Sequence, residues 1–114
     1  MDLNNKVAIV TGSSRGIGLA TVMDLLDNGT NVAGWSRSHS EIEHPNFKYI
    51  QVDVSDIKSV KNGYKETTSH FGNDVHILIN NAGLAYSSLF EDLKTEEWQQ
   101  MFDTNVNAIW TYYI

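Results

Sequence analysis

The chain has 114 residues, room for one compact domain spanning 1–114, and no cysteine, which excludes disulfide scaffolds, zinc knuckles and thiol catalysis. Eight lysines and arginines against 14 aspartates and glutamates leave a formal charge of −6. That is the wrong sign for a nucleic-acid binder or for docking on an anionic membrane.

The N-terminus, Met1-Asp2-Leu3-Asn4-Asn5-Lys6, lacks the basic start and apolar core of a secretory signal. No run approaches the roughly 20 apolar residues of a membrane span, so a cytoplasmic location is expected. Val7-Ala8-Ile9-Val10 is an unbroken β-branched run that predicts a strand buried on both faces. From Gly16 to Asn28, Ile17, Ala20, Met23 and Leu26 recur at helical spacing, and Gly29 supplies a left-handed stop. Asn31 to Trp35 reads as a second strand, Ser36 to Asn46 as a polar loop holding the lone Pro45, and Phe47 to Val52 as a third strand.

Ser55 is placed to cap a helix whose Ile57, Val60, Tyr64 and Phe71 fall near one face, with Gly72 as its stop. Gly63 weakens that helix by about 1 kcal/mol relative to Ala. Val75 to Ile79 reads as a fourth strand, ending in Asn80-Asn81. A last helix starts at the cap Thr95, with Trp98, Met101, Phe102, Asn105, Ile109 and Tyr113 along one face. The order βαβ-loop-βαβα predicts an α/β fold with a parallel sheet.

Thr11-Gly12-Ser13-Ser14-Arg15-Gly16-Ile17-Gly18 lies between the first strand and the first helix. A helix N-terminus offers unpaired N–H groups and a partial positive charge, which suits a pyrophosphate. Gly12 allows a tight exit from the strand, Gly16 lets backbone approach the phosphates, and Gly18 allows close helix packing. Ser13 and Ser14 add hydroxyl donors. An ordinary glycine-rich turn would have the same glycines, but not the strand before and the helix after.

The spacing is Gly-x-x-x-Gly-x-Gly rather than the commoner Gly-x-Gly-x-x-Gly. With Thr11 in front, Asp53-Val54 after the third strand, Asn80-Asn81-Ala82-Gly83 after the fourth and Asn105 in the last helix, the chain resembles the short-chain dehydrogenase/reductase family over essentially its whole length. The stretch from Leu89 through Trp98 to Asn105-Val106 is most similar to 3-oxoacyl carrier-protein reductases. The resemblance implies the first four strands of a Rossmann-like, doubly wound parallel sheet. It also implies an NAD(P)-dependent oxidoreductase acting on a small carbonyl substrate or a carrier-protein thioester.

An acidic residue at the end of the second strand would accept from the adenosine ribose and repel a 2′-phosphate. That position is Ser36 here, followed by Arg37, with Arg15 in the phosphate loop. A guanidinium clamps a phosphate with two parallel hydrogen bonds, so NADPH is expected over NADH; the alternative is that both arginines are solvated loop residues. The resemblance puts Asp53 and Val54 around the adenine, against the alternative that Asp53 caps the next helix. It puts Asn80 on neighbouring backbone and Asn81, Ala82 and Gly83 beside the ribose, against a plain polar turn. Asn105 reads either as a satisfied structural amide or, by resemblance, as a helix break holding a water that leads to the catalytic lysine.

The family's proton donor is a tyrosine with a lysine four residues later. Tyr49 is followed at that distance by Asp53, Tyr64 by Thr68 and Tyr86 by Phe90, while Tyr112 and Tyr113 have no residue there. The catalytic tyrosine, lysine and serine are therefore expected beyond Ile114. His39, His44, His70 and His76 have no metal-ligand spacing, and no metal is expected. With the fourth strand an exposed edge, the chain is expected to self-associate as a homo-oligomer. Three functional readings stand: the cofactor-binding half of a carbonyl reductase, inactive alone; a non-catalytic nucleotide-binding module; and one half of a split enzyme or structural assembly.

Overall fold

The computed structural model describes residues 2–72 and 74–81. Strand β1 (Val7–Thr11), helix α1 (Gly16–Asp27), strands β2 (Asn31–Ser36) and β3 (Phe47–Gln51), helix α2 (Ile57–Phe71) and strand β4 (Ile77–Ile79) follow in that order. All pairings are parallel and the sheet order is β3-β2-β1-β4. The chain thus winds outward from β1 to β3 and then returns to the other side of β1, which is the doubly wound, Rossmann-like pattern expected. The expected last helix, with Asn105, lies outside the described residues.

The sheet is covered on both faces, which is why β1 contains five consecutive buried residues. On one face Ala8, Val10 and Val32 pack with Val22, Leu25 and Leu26 of α1, flanked by Ile77 and Ile79. On the other, Ile9, Ala33, Trp35, Ile50 and Val52 pack with Val60 of α2, flanked by Phe71 and Val75. Between β2 and β3 the segment 37–46 takes the place of a crossover helix, as its polarity predicts, and turns Ile42 against the α1 face.

The element order agrees with the sequence, while the helix faces and some ends do not. Of the residues at helical spacing, Ile17 and Met23 are 78% and 45% exposed; the buried side of α1 is Gly18, Val22, Leu25 and Leu26. Steps of three residues fall about 60° short of a full turn each, so the series 17, 20, 23, 26 winds around the helix, whereas 18, 22, 25, 26 stays on one side. In α2 the buried line is Val60, Gly63 and Thr67, while Ile57 and Tyr64 are exposed. The α2 cap is Asp56, whose carboxylate accepts from the Lys58 amide at 3.0 Å. Ser55 stands one residue before the cap position, and its amide and hydroxyl both donate to Asp53 Oδ1 in the preceding turn. The predicted stops hold: Gly29 and Gly72 have φ of 80° and 69°. Strand β4 is shorter than read: just before it His76 bonds Val7 twice, its amide donating to the Val7 carbonyl (2.9 Å) and its ring Nδ1, rather than its carbonyl, accepting from the Val7 amide (3.0 Å).

Candidate functional site

The C-terminal ends of the four strands meet at one edge of the sheet, where α/β proteins bind ligands at the point of reversed strand order. That point is the gap between β1 and β4, and a latch closes its floor. The Asn81 amide donates to Thr11 Oγ1 (2.9 Å), Thr11 Oγ1 donates to the Ile79 carbonyl (3.3 Å), and Asn81 Nδ2 donates to the Gly12 carbonyl (3.2 Å). The Gly12 amide in turn donates to the Trp35 carbonyl at 2.8 Å. The turn after β1 is therefore pinned to both neighbouring strands. Among the described residues it is Asn81 whose side chain bonds neighbouring backbone, the role expected of Asn80, and Asn80 is exposed.

The glycines of this turn have different physical reasons. Gly12 and Gly16 sit at φ of 63° and 62°, a left-handed backbone that side-chain residues rarely adopt. A Cβ on Gly16 would meet nothing within 4 Å, so the space above its backbone is open. A Cβ on Gly18 would lie 2.1 Å from the Gly12 carbonyl oxygen and 2.6 Å from Asn81 Nδ2. The missing side chain at Gly18 is thus what lets α1 start against the β1 turn and the latch. No side chain caps α1, and its first turn has no acidic residue, so its N-terminal amides are not filled from within the helix.

A cleft of about 220 Å³ opens above this edge. Gly12, Ser14 and Arg15 line it from the phosphate loop, Trp35 to Ser38 from the end of β2, Val52 to Val54 from the end of β3, and Asn81 from the end of β4. Its volume is below the roughly 300–1,000 Å³ of drug-sized sites. Of the residues picked from sequence, Gly12, Ser14, Arg15, Ser36, Arg37, Asp53, Val54 and Asn81 come together here. Gly16, Ile17 and Gly18 lie next to this cleft along the chain and are not among its walls.

Ser13 is a departure. Its side chain is fully buried, its hydroxyl has no hydrogen-bond partner, and a Cβ on Gly34 would come within 2.7 Å of it. The expected hydroxyl donor is packed over β2, away from the cleft. Ala82, Gly83 and Asn105 lie outside the described residues.

The electrostatics around β2 depend on residue types. Ser36 is buried, its hydroxyl donates to the Ser38 carbonyl, and no carboxylate stands at this position. Arg15 and Arg37 are exposed on the cleft rim. Asp53 uses Oδ1 in the turn before α2, and its amide donates to Ser59 Oγ. Thr11 as a latch and Trp35 and Ser38 as walls are not apparent from the motifs; the signal in the sequence for Thr11 is a polar residue ending an otherwise apolar buried strand. Among the described residues no group of three metal-ligating side chains gathers, and no helix is long and apolar enough to cross a membrane.

Comparison with known proteins agrees with this architecture. The family model described as short chain dehydrogenase matches residues 6–113. The 3-oxoacyl-acyl-carrier-protein reductase FabG of Vibrio cholerae is 37% identical over 96% of this chain and 47% of its own length. The chain spans about half the length of the curated relatives it matches. Among solved structures, the 3-ketoacyl-(acyl-carrier-protein) reductase of Brucella melitensis complexed with NADH superposes with a TM-score of 0.89 at 26% identity, over 96% of this chain and 48% of that one. The ligand-free aldohexose dehydrogenase of Thermoplasma acidophilum gives 0.88 at 30% identity, over 96% and 42%.

Proposed function

The chain belongs to the short-chain dehydrogenase family, and we propose that it is the dinucleotide-binding half of an NADPH-dependent carbonyl reductase acting on a 3-oxoacyl carrier-protein thioester or a related ketone. The observation that carries this reading is the convergence of four strand ends on one cleft that has two arginines and no carboxylate where an NADH-type ribose would be read. The name of the curated relative supports the substrate class, and the cytoplasm is the compartment this reading assigns.

The residues present fit a dinucleotide. The open space over Gly16 and the uncapped start of α1 leave room and donors for a pyrophosphate. Arg15 and Arg37 would hold the 2′-phosphate beside Ser36, and Asp53 and Val54 would border the adenine. Asn81, followed by Ala82 and Gly83, would run beside the ribose. When bound, the nicotinamide supplies a hydride to the carbonyl carbon. The 114 residues contain no Tyr-x-x-x-Lys, so we assign no proton donor within them, expect no turnover from this chain alone, and leave Asn105 only an accessory role. In this reading the working enzyme is a homo-oligomer.

The test is a pair of equilibrium titrations with NADPH and NADH. NADPH should bind more tightly. Arg37→Ala should weaken it by about 10- to 100-fold, the worth of a charged hydrogen-bonded contact, with NADH little changed. Equal losses for the two would remove the phosphate clamp, and binding of neither by the unmodified chain would remove the cofactor reading.

A further inference from the structure

Strand β3 does more than pair with β2. In the register Gly34↔Tyr49, Trp35↔Ile50 and Ser36↔Gln51, the sheet already secures the end of β2, and the Val52 amide adds a bond to the Ser36 carbonyl at 3.1 Å. Yet the same carbonyl accepts a second donor, the Tyr49 hydroxyl, at 3.2 Å. Strand pairing does not need this bond. Gln51 Nε2 reaches the next carbonyl, that of Arg37, at the limiting distance of 3.5 Å. Further along, His39 meets the Tyr49 ring edge-on, with centroids 5.3 Å apart and planes at 77°.

Tyr49 therefore touches both ends of the four-residue segment 36–39, and Arg37 lies between its two contacts. The arginine itself is exposed, so its side chain gains no direction from packing. Its aim depends on how the backbone leaves β2. We propose that Tyr49 is a positioning residue for cofactor selection, holding the 36–39 turn so that Arg37 faces a 2′-phosphate. This rests on the reading of Arg37 given above and goes beyond it by naming the residue through which the choice is set.

Tyr49→Phe removes one oxygen and keeps the ring against His39. It should weaken NADPH binding about three- to tenfold while NADH affinity stays as it was, with the urea midpoint falling only as far as the loss of one part-buried hydrogen bond requires. A purely structural tyrosine would move the midpoint and both affinities together, and that result would overturn the proposal, as would no change in any of them. In an Arg37→Ala background, Tyr49→Phe should have no further effect on NADPH, because its action runs through the arginine. Additive losses would overturn it. If Arg37→Ala alone does not discriminate between the cofactors, the clamp reading fails and takes this inference with it. If Arg37→Ala discriminates and Tyr49→Phe does not, only the role of Tyr49 falls.

Discussion

Helices α1 and α2 pack on opposite faces of one sheet and begin in opposite ways. Helix α2 fills its own N-terminus, since Asp56 accepts from the Lys58 amide, and it ends on the left-handed Gly72, whose amide bonds the Thr68 carbonyl. Helix α1 begins after Arg15 in an extended backbone with no side-chain cap. Both starts carry the same partial positive charge. One has a side-chain acceptor supplied by the fold, whereas the other has none and lies beside Ser14 and Arg15 on the cleft rim. A helix that satisfies its own end serves as scaffold; one left open at the C-terminal edge of the sheet is available to a ligand.

The two helices also share a buried glycine, and the reasons differ in the same way. At Gly18 the obstacle to a side chain is backbone and latch, the Gly12 carbonyl and Asn81. At Gly63 it is core, with Val52 Cγ2 at 2.6 Å and the Trp35 ring at 3.1 Å from an added Cβ. Gly18→Ala should thus have the largest effect of any single change, about 3 kcal/mol or more by urea denaturation, with loss of NADPH binding, because rigid main chain must move. Near-normal stability in that variant would break the account of the latch.

Gly63→Ala separates two expectations of opposite sign. Helix propensity alone predicts a gain of about 1 kcal/mol. Close packing over Trp35, whose indole N–H donates to Thr67 Oγ1 at 3.1 Å, predicts a net loss of about 1–2 kcal/mol. A fall in the urea midpoint with an unchanged ratio of NADPH to NADH affinity would place Gly63 in the scaffold. A rise would mean that the helix was free to move away from the sheet.

This contrast also marks what the sequence made legible. Features decided by neighbours in the chain could be read directly: the apolar run of β1, the left-handed stops at Gly29 and Gly72, the polar segment before Pro45 and the glycine spacing after Thr11. Features decided by residues distant in sequence could not. Gly63 reads as a flaw until Trp35 is known to lie against it. The side of α1 that faces the sheet cannot be picked from three-residue steps when Ile17 and Met23 are apolar too. Ser13 has the hydroxyl of a phosphate ligand, but Gly34, in the neighbouring strand β2 and 21 residues on in sequence, leaves the space that this hydroxyl fills. The choice between Asn80 and Asn81 was equally hidden, since only the position of the Gly12 carbonyl decides which amide becomes the latch.

The smallest expected effect bears most directly on the two helix starts. Asp56→Ala should cost about 1 kcal/mol, the worth of an N-cap, read as a lower urea midpoint with both cofactor affinities unchanged. Asp56→Asn should keep nearly all of that stability, because an amide oxygen still accepts from the Lys58 amide and Asn ranks with Asp as a cap. Should the alanine variant instead lose NADPH affinity along with stability, the start of α2 would be coupled to the cleft through Asp53 and Ser55, which lie in the turn just before it. The line between scaffold and binding element would then run through the β3–α2 turn rather than between the two helices.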